Sequence, residues 1–317
     1  MQEKKELESL VTLLQKEFLI NCGLSEQFDL YPFSNEYNYE SILTTLNMNY
    51  TKNTEKIRVA MLFGESRFLS ILPELAKCAD IVILADIEPR LHLHNKHLLT
   101  CFKQSVDSYD FIACYKKNNP IENEKLPWLT NTQLPSIATL DLLEGLLVGS
   151  IGNSIPSLGE KYHFLHNEKR FQSCKEAVNK LFFVQIHLNL MDSKQCYQLA
   201  EHLSRHNAEL TLVNFTNIAD HQYGKMALQQ SIPLLLKDSP DCFILYSTGV
   251  MNNGAIEKLN IHITQNLDNY FNQSSIPNET SDKKDNYTNK KYTPNFFETI
   301  TNNDIPSYDT IIPKIVL

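Results

Sequence analysis

Hydrophobic and polar positions follow two different periods along this chain. Leu7, Leu10, Val11, Leu14 and Phe18 recur at spacings of three and four, which predicts an amphipathic first helix packed as a lid or brace. Turn chemistry around Pro32, Ser34 and Asn35 follows, and a second short helix is predicted from Tyr39 to Leu46. From Ile57 the period changes. "IRVAMLF" is a continuous apolar run of strand length, "SRFLSILPELAKC" reads as a helix despite Pro73, and "DIVILAD" is a second buried strand.

The same alternation returns later. "FFVQIHLNL", "ELTLVNFTN" and "DCFILYST" repeat the strand signal, with helical "SKQCYQLAEHLSRH" and "YGKMALQQSIPLLLK" between them, and "KLNIHIT" is predicted to add an edge strand. Continuous apolar strands alternating with helices predict an α/β fold, a Rossmann-like, doubly wound and mostly parallel sheet covered on both faces. Residues 1–55 form an N-terminal helical extension and 56–266 the main domain.

Two segments fall outside the alternation. Residues from about 105 to 182 hold Pro120, Pro127, Pro135 and Pro156, a predicted helix near 137–148 and another over 168–180. That is too long for an ordinary crossover and predicts an inserted cap. Residues 267–317 are rich in Asn, Thr, Ser, Lys and Asp, with few aliphatic residues before the closing "TIIPKIVL". Such a composition buries too little apolar area to offset its ordering entropy, so a disordered tail is predicted.

Composition narrows the partners. A net charge of −8 over 317 residues supplies no global basic field, so nucleic acid is not an expected partner. No apolar run reaches the length of a membrane helix, so no membrane insertion is expected. The first residues place acids and lysines between leucines and lack the apolar core of a secretory signal. Seven cysteines, an odd number with no C-x-x-C pair, fit a reducing compartment. A cytoplasmic protein is the expectation, with export lacking a cleavable signal as its alternative.

Candidate chemistry gathers at the first βα turn, where a doubly wound sheet places its ligand. Gly64 occupies that turn, Glu65, Ser66 and Arg67 follow it, and the next strand ends at Asp86 and Ile87. Asp86 lies about 20 residues past the glycine, the spacing at which an acid receives the hydroxyls of a ribose. A G-x-G-x-x-G loop is missing, and Glu65 puts negative charge where a pyrophosphate would lie. No G-x-x-x-x-G-K-[ST] loop exists either. S-adenosylmethionine, which carries a sulfonium cation and no phosphate, suits an acidic, glycine-poor turn better than NAD or ATP.

"VAMLFGESRFLSILPEL" with "VILADIEPRL" resembles the first two motifs of class I S-adenosylmethionine-dependent methyltransferases. In those enzymes a glycine turn holds the amino-acid moiety of the cofactor and the acid after strand 2 holds its ribose. A narrower resemblance is to a family of uncharacterised bacterial proteins of that fold, whose pattern has Ser-Asn-Glu before strand 1, Asp after strand 2, an acid after strand 3 and Ser-Asn-Val-Glu after strand 4. Ser34, Asn35, Glu36 and Asp86 match it, as does Asn217 within Thr216-Asn217-Ile218. Asn189 stands where the pattern has an acid, and Ala219 where it has Glu. The first departure weakens the adenine contact, although an Asn carbonyl still accepts from an exocyclic amine. The second removes a candidate carboxylate.

The resemblance implies a cofactor site of Gly64, Glu65, Ser66, Asp86, Ile87, Asn189 and Asn217 for S-adenosylmethionine. Glu36, His187, Asp220 and His221 are the candidates for general-base work in a methyltransferase with a small-molecule or protein acceptor. The alternative is a non-catalytic, methyltransferase-like binding module, and a further one is a bacterial effector delivered into another cell. Bland readings stand beside the sharp ones: Glu36 as a helix-start cap, Asp86 as the N-cap of the next helix, Asn217 as a turn former. His92, His94 and His97 lack a carboxylate or cysteine spaced to complete a metal site and are read as surface or pocket-rim residues, with His94 or Asn95 facing the cofactor as the sharper option. Cys174 and Cys196 are read as packing residues.

Overall fold

The computed structural model describes residues 2–19, 36–37, 42–46, 55–63, 68–87, 89–117, 164–165, 167–215, 225–252 and 255–273. Helix α1 (Gln2–Glu17) is followed by a two-residue strand β1 (Glu36–Tyr37) and a helical segment over 42–46. Then come β2 (Ile57–Phe63), α2 (Phe68–Cys78), β3 (Ile81–Asp86), α3 (Pro89–Gln104), α4 (Ser108–Lys116) and α5 (Glu168–Lys180). The rest is β4 (Phe182–His187), α6 (Ser193–Arg205), β5 (Ala208–Asn214), α7 (Lys225–Leu235), β6 (Phe243–Asn252), β7 (Ala255–Thr264) and α8 (Leu267–Gln273).

These strands form one seven-stranded sheet in the order β1-β7-β6-β5-β2-β3-β4. β2 to β6 run parallel, and β7 returns antiparallel to β6. The chain lays β3 and β4 on one side of β2 and β5 and β6 on the other, so the strand order reverses between β2 and β5. The sheet is therefore the doubly wound, mostly parallel type that the continuous apolar runs predict.

Alternation along the strands sorts the core into two layers. Ala60, Leu62, Val82, Leu84, Leu212 and Leu245 pack under the 42–46 segment and α2 to α5. Val59, Met61, Ile81, Ile83, Val184, Val213 and Ile244 pack against α1, α6, α7 and α8. Burying such side chains contributes about 1.5 to 3 kcal/mol each.

Three polar devices fix the layers. Arg58 on β2 is buried and grips Asp80 at the start of β3: Nε and the main-chain N–H both donate to Oδ2, at 2.9 and 3.0 Å, and a second guanidinium nitrogen pairs with Oδ1. Its remaining arm donates to the Lys77 carbonyl at 2.7 Å. Arg170 on α5 reaches Glu74 on α2 at 3.1 Å and the Ser70 carbonyl. Thr211 is the extra residue of a bulge opposite Val59 and Ala60, and its hydroxyl donates to the Cys78 carbonyl at 2.7 Å.

The structure departs from the sequence reading in three places. β7 is not an edge strand: it pairs with β6 on one side and with β1 on the other, through Glu36↔Leu259 and Tyr37↔Asn260. The folded domain also runs past 266, because α8 buries Tyr270 completely against Phe215 and Tyr246. Of the segment 105–182, the described ends belong to the domain's own layer, with Phe111, Tyr115, Phe164, Phe171 and Cys174 all in one cluster. Its predicted helix at 137–148 lies outside the described residues. Among the described residues no helix is long and apolar enough to cross a membrane.

Candidate functional site

The strands end at different heights, and that shapes the carboxyl edge of the sheet. β5 pairs with β6 only through Leu212↔Phe243, Val213↔Ile244 and Asn214↔Leu245. Beyond Leu245, β6 continues beside β7 to Asn252, an overhang of roughly 20 Å at the rise of an ordinary strand. β1 pairs on this overhang, so the backbone of Glu36 stands on a raised wall above the carboxyl ends of β5 and β2. The reversal between β2 and β5 lies at its foot.

Three polar side chains share one face of that edge. Asp86 and His187 are register partners at the ends of β3 and β4, and Asn214 is level with Leu62 and Leu245 at the end of β5. Continuing the alternation, all three fall on the α2–α5 side of the sheet. With neighbouring strands about 4.8 Å apart, they span roughly 15 Å across β5, β2, β3 and β4. The opposite face at the same level is aromatic: Phe63 meets Phe215, Phe215 meets Tyr270, and Tyr270 meets Tyr246, at centroid distances of 5.8, 5.6 and 5.8 Å.

Asp86 is half-buried and its main chain is held from two sides. His92 Nε2 lies 3.1 Å from the Asp86 carbonyl, to which it can only donate, and the Leu188 N–H donates to the same oxygen at 3.2 Å. His187 is anchored through its backbone, donating to the Phe18 carbonyl at 3.1 Å. Its Nδ1 is buried and has no hydrogen-bond partner among the described residues. Burial also pushes the His187 pKa below its usual value, so the ring is neutral at pH 7.

Asn189 has a local task. Its side-chain oxygen accepts from the Met191 N–H at 2.9 Å, its own N–H donates to Gln195 Oε1 at 3.1 Å, and its carbonyl accepts from the Asp192 N–H at 3.0 Å. That turn delivers Asp192 to the N-cap of α6, where its carboxylate accepts from the Lys194 and Gln195 N–H groups. Ile87 follows Asp86, half-buried. Gly64, Glu65, Ser66, Asn217, Asp220 and His221 lie outside the described residues, as does the side chain of Glu36. Asn214 was not singled out from sequence, although a polar residue closing the apolar run "LTLVN" is a readable signal.

Of the histidines of "HLHNKH", His92 and His94 are buried and so are not surface residues, whereas His97 is half-buried. His92 is buried on Asp86, the buried His94 meets the Tyr115 hydroxyl at 2.7 Å, and His97 donates to the Tyr115 carbonyl at 2.9 Å. Tyr115 from α4 supplies two polar partners to one face of α3, which is why that face can be buried. Asn95 is buried with them. Cys174 and Cys196 are buried, their thiols pushed up to about 12 by burial. Among the described residues no three His, Cys, Asp or Glu side chains are grouped to hold a metal ion.

No family model matches the chain, and no curated protein matches it. Two solved structures of the rRNA methyltransferase aviRa from Streptomyces viridochromogenes are similar in part. The first, at 2.4 Å, has 11% sequence identity and a TM-score of 0.34, covering 72% of this chain and 80% of aviRa. The second, at 1.5 Å, has 13% identity and a TM-score of 0.33, covering 74% and 82%.

Proposed function

We propose that the chain binds S-adenosylmethionine or its demethylated product at the carboxyl edge beside the β2–β5 reversal, and that it is a methyltransferase with a small-molecule or protein acceptor. The observation that carries this reading is the gathering of Asn214, Asp86 and His187 on one face of that edge, over an aromatic layer on the other. Ligands of doubly wound sheets sit at such a reversal. One carboxylate and one neutral imidazole suit a phosphate-free, cation-bearing nucleoside better than a pyrophosphate.

In this reading Asp86 receives two ribose hydroxyls, and the hydrogen bonds from His92 and Leu188 to its carbonyl tether the strand end that carries it. His187, neutral at pH 7, is a proton acceptor one strand away. S-adenosylmethionine brings a methyl group already activated on sulfur, so holding an acceptor in line is the main work left to the protein. A second reading, a binding module without transferase activity, is favoured by Asn189, whose amide oxygen already accepts from its own turn.

Calorimetric titration with S-adenosylhomocysteine tests the binding. Asp86→Asn keeps the volume and removes the charge, and charge-assisted bonds are worth about 1.5 to 3 kcal/mol each, so affinity falls at least about tenfold. Folding should be unchanged, because the swap keeps the side-chain volume and leaves the Asp86 carbonyl, which accepts from His92 and Leu188, as it is. Asp86 ends β3 and does not cap α3, which starts at Pro89. Equal affinities would leave Asp86 a structural residue. Transfer of a labelled methyl group to a candidate acceptor separates the enzyme from the module.

A further inference from the structure

We propose that Cys101 and Cys114 are a reversible thiol–disulfide pair that locks the α3–α4 hairpin when oxidised. The two helices stack in rungs: Phe102 lies 4.7 Å from Phe111, and His97 lies 5.5 Å from Tyr115, centroid to centroid. Cys101 and Cys114 fall between these rungs: His97 Nε2 links the Cys101 sulfur, at 3.7 Å, to the Tyr115 carbonyl, at 2.9 Å, beside Cys114, and Gln104, one turn beyond Cys101, meets the Cys114 sulfur at 3.8 Å.

The two thiols differ in the way such a pair needs. Cys114 is only half-buried, with Gln104 Oε1 3.8 Å from its sulfur, whereas Cys101 is fully buried. Burial, and then the neighbouring Cys114 thiol, push the Cys101 thiol upward. His97 Nε2 must carry a proton to bond the Tyr115 carbonyl at 2.9 Å, and it stands 3.7 Å from the Cys101 sulfur, so the same N–H can be shared with negative charge forming on that sulfur. Every other described cysteine is buried, and burial raises the pKa of Cys78, Cys174, Cys196 and Cys242. Cys114 is therefore the thiol among the described residues that an oxidant reaches.

With a small-molecule disulfide such as glutathione disulfide as oxidant, the atoms balance in two exchanges. The Cys114 thiolate attacks one sulfur of the oxidant, the S–S bond breaks, and one glutathione thiolate leaves. Cys101 then gives up its proton, and its sulfur attacks the Cys114 sulfur of the mixed disulfide. The second glutathione leaves and takes a proton, so two protein thiols are oxidised and one glutathione disulfide is reduced. The pair owes nothing to the ligand proposed above.

The test uses the full chain with Cys22→Ser, reduced and then exposed to glutathione disulfide at increasing ratio to glutathione, quenched with acid and read by mass spectrometry. The expected product has lost two hydrogens, joins tryptic peptides 97–103 and 104–116, and reverts with dithiothreitol. Cys114→Ser abolishes it. Cys101→Ala leaves a glutathione adduct on Cys114 whose lifetime exceeds that in the parent by at least about tenfold, because nothing resolves it. A stable adduct on Cys114 in the parent with Cys101 still reduced, or an unreacted Cys114, would overturn the proposal.

Discussion

His92 donates from Nε2 to the main-chain carbonyl of Asp86 across 3.1 Å, tying the first turns of α3 to the end of β3. The bond holds the main chain at the strand end that carries the candidate ligand-binding carboxylate. His92→Phe keeps a ring and removes the donor. Because Leu188 still donates to the same oxygen, stability should fall by only about 1 kcal/mol. S-adenosylhomocysteine affinity should fall severalfold, and His92→Gln, which restores a donor, should recover part of it. An unchanged affinity in His92→Phe, measured by calorimetry, would remove His92 from the support of the site.

The Arg58–Asp80 pair should matter far more for folding than for binding. Asp80→Ala leaves a buried guanidinium without its counter-charge, which costs about 3 to 5 kcal/mol. The melting temperature should drop by about 10 °C. Arg58→Met with Asp80→Ala should recover much of the loss. A double variant no better than the single one would show that the Lys77 carbonyl bond, and not the uncompensated charge, dominates.

Tyr270 sets where the domain ends. Tyr270→Ala empties a site walled by Phe215, Tyr246 and Phe271, at a cost of about 3 to 5 kcal/mol. A chain cut after residue 266 should melt lower by a similar margin, whereas one cut after 276 should keep its melting temperature. Scanning calorimetry of the two truncations decides it, and equal melting temperatures would make α8 dispensable.

Acidification should destabilise the protein through its depressed histidines. Burial holds the pKa values of His187 and His262 below 6.5, so above that pH both are neutral in the folded and unfolded chain. As the pH falls through 6.5 the unfolded chain takes up protons that the folded chain refuses, and stability is lost until the folded values are reached. Melting temperatures should therefore decline between about pH 7 and pH 5, less steeply in His187→Gln. Parallel profiles for parent and variant would remove His187 as a cause.

The strands were legible in the sequence wherever burial on both faces makes a run continuous: "IRVAMLF" and β2 coincide, and "DIVILAD" and β3 differ by one residue. Helices made mostly by tertiary contact were not. Phe111 and Tyr115 sit at i, i+4 behind the Asp107 cap, yet the surrounding prolines drew α4 into a predicted insertion. α8 has seven residues, too few to show a period, and acquires its meaning from a single buried tyrosine. β7 is longer than its apolar signal because its first residues, Ala255 and Ile256, pair with β6 through backbone bonds that carry no side-chain pattern. For the site, Asp86 was readable as an acid closing an apolar strand. The pairing of Asp86 with His187 depends on register, which a linear pattern does not contain.

The brace made by α1 has a consequence for the order in which the molecule comes together. Its leucines face Val184, Ile186 and Leu199, and the carbonyl of Phe18 accepts from His187 on β4. During synthesis this amphipathic segment leaves the ribosome long before its docking strand exists, and waits with its apolar stripe in water while more than half of the chain is added. Closing so wide a contact comes late, because the entropy of the intervening chain must be given up first. The acids and lysines interleaved with the leucines of α1 then gain a second use: they keep a nascent chain from sticking to its neighbours until β4 arrives to cover it.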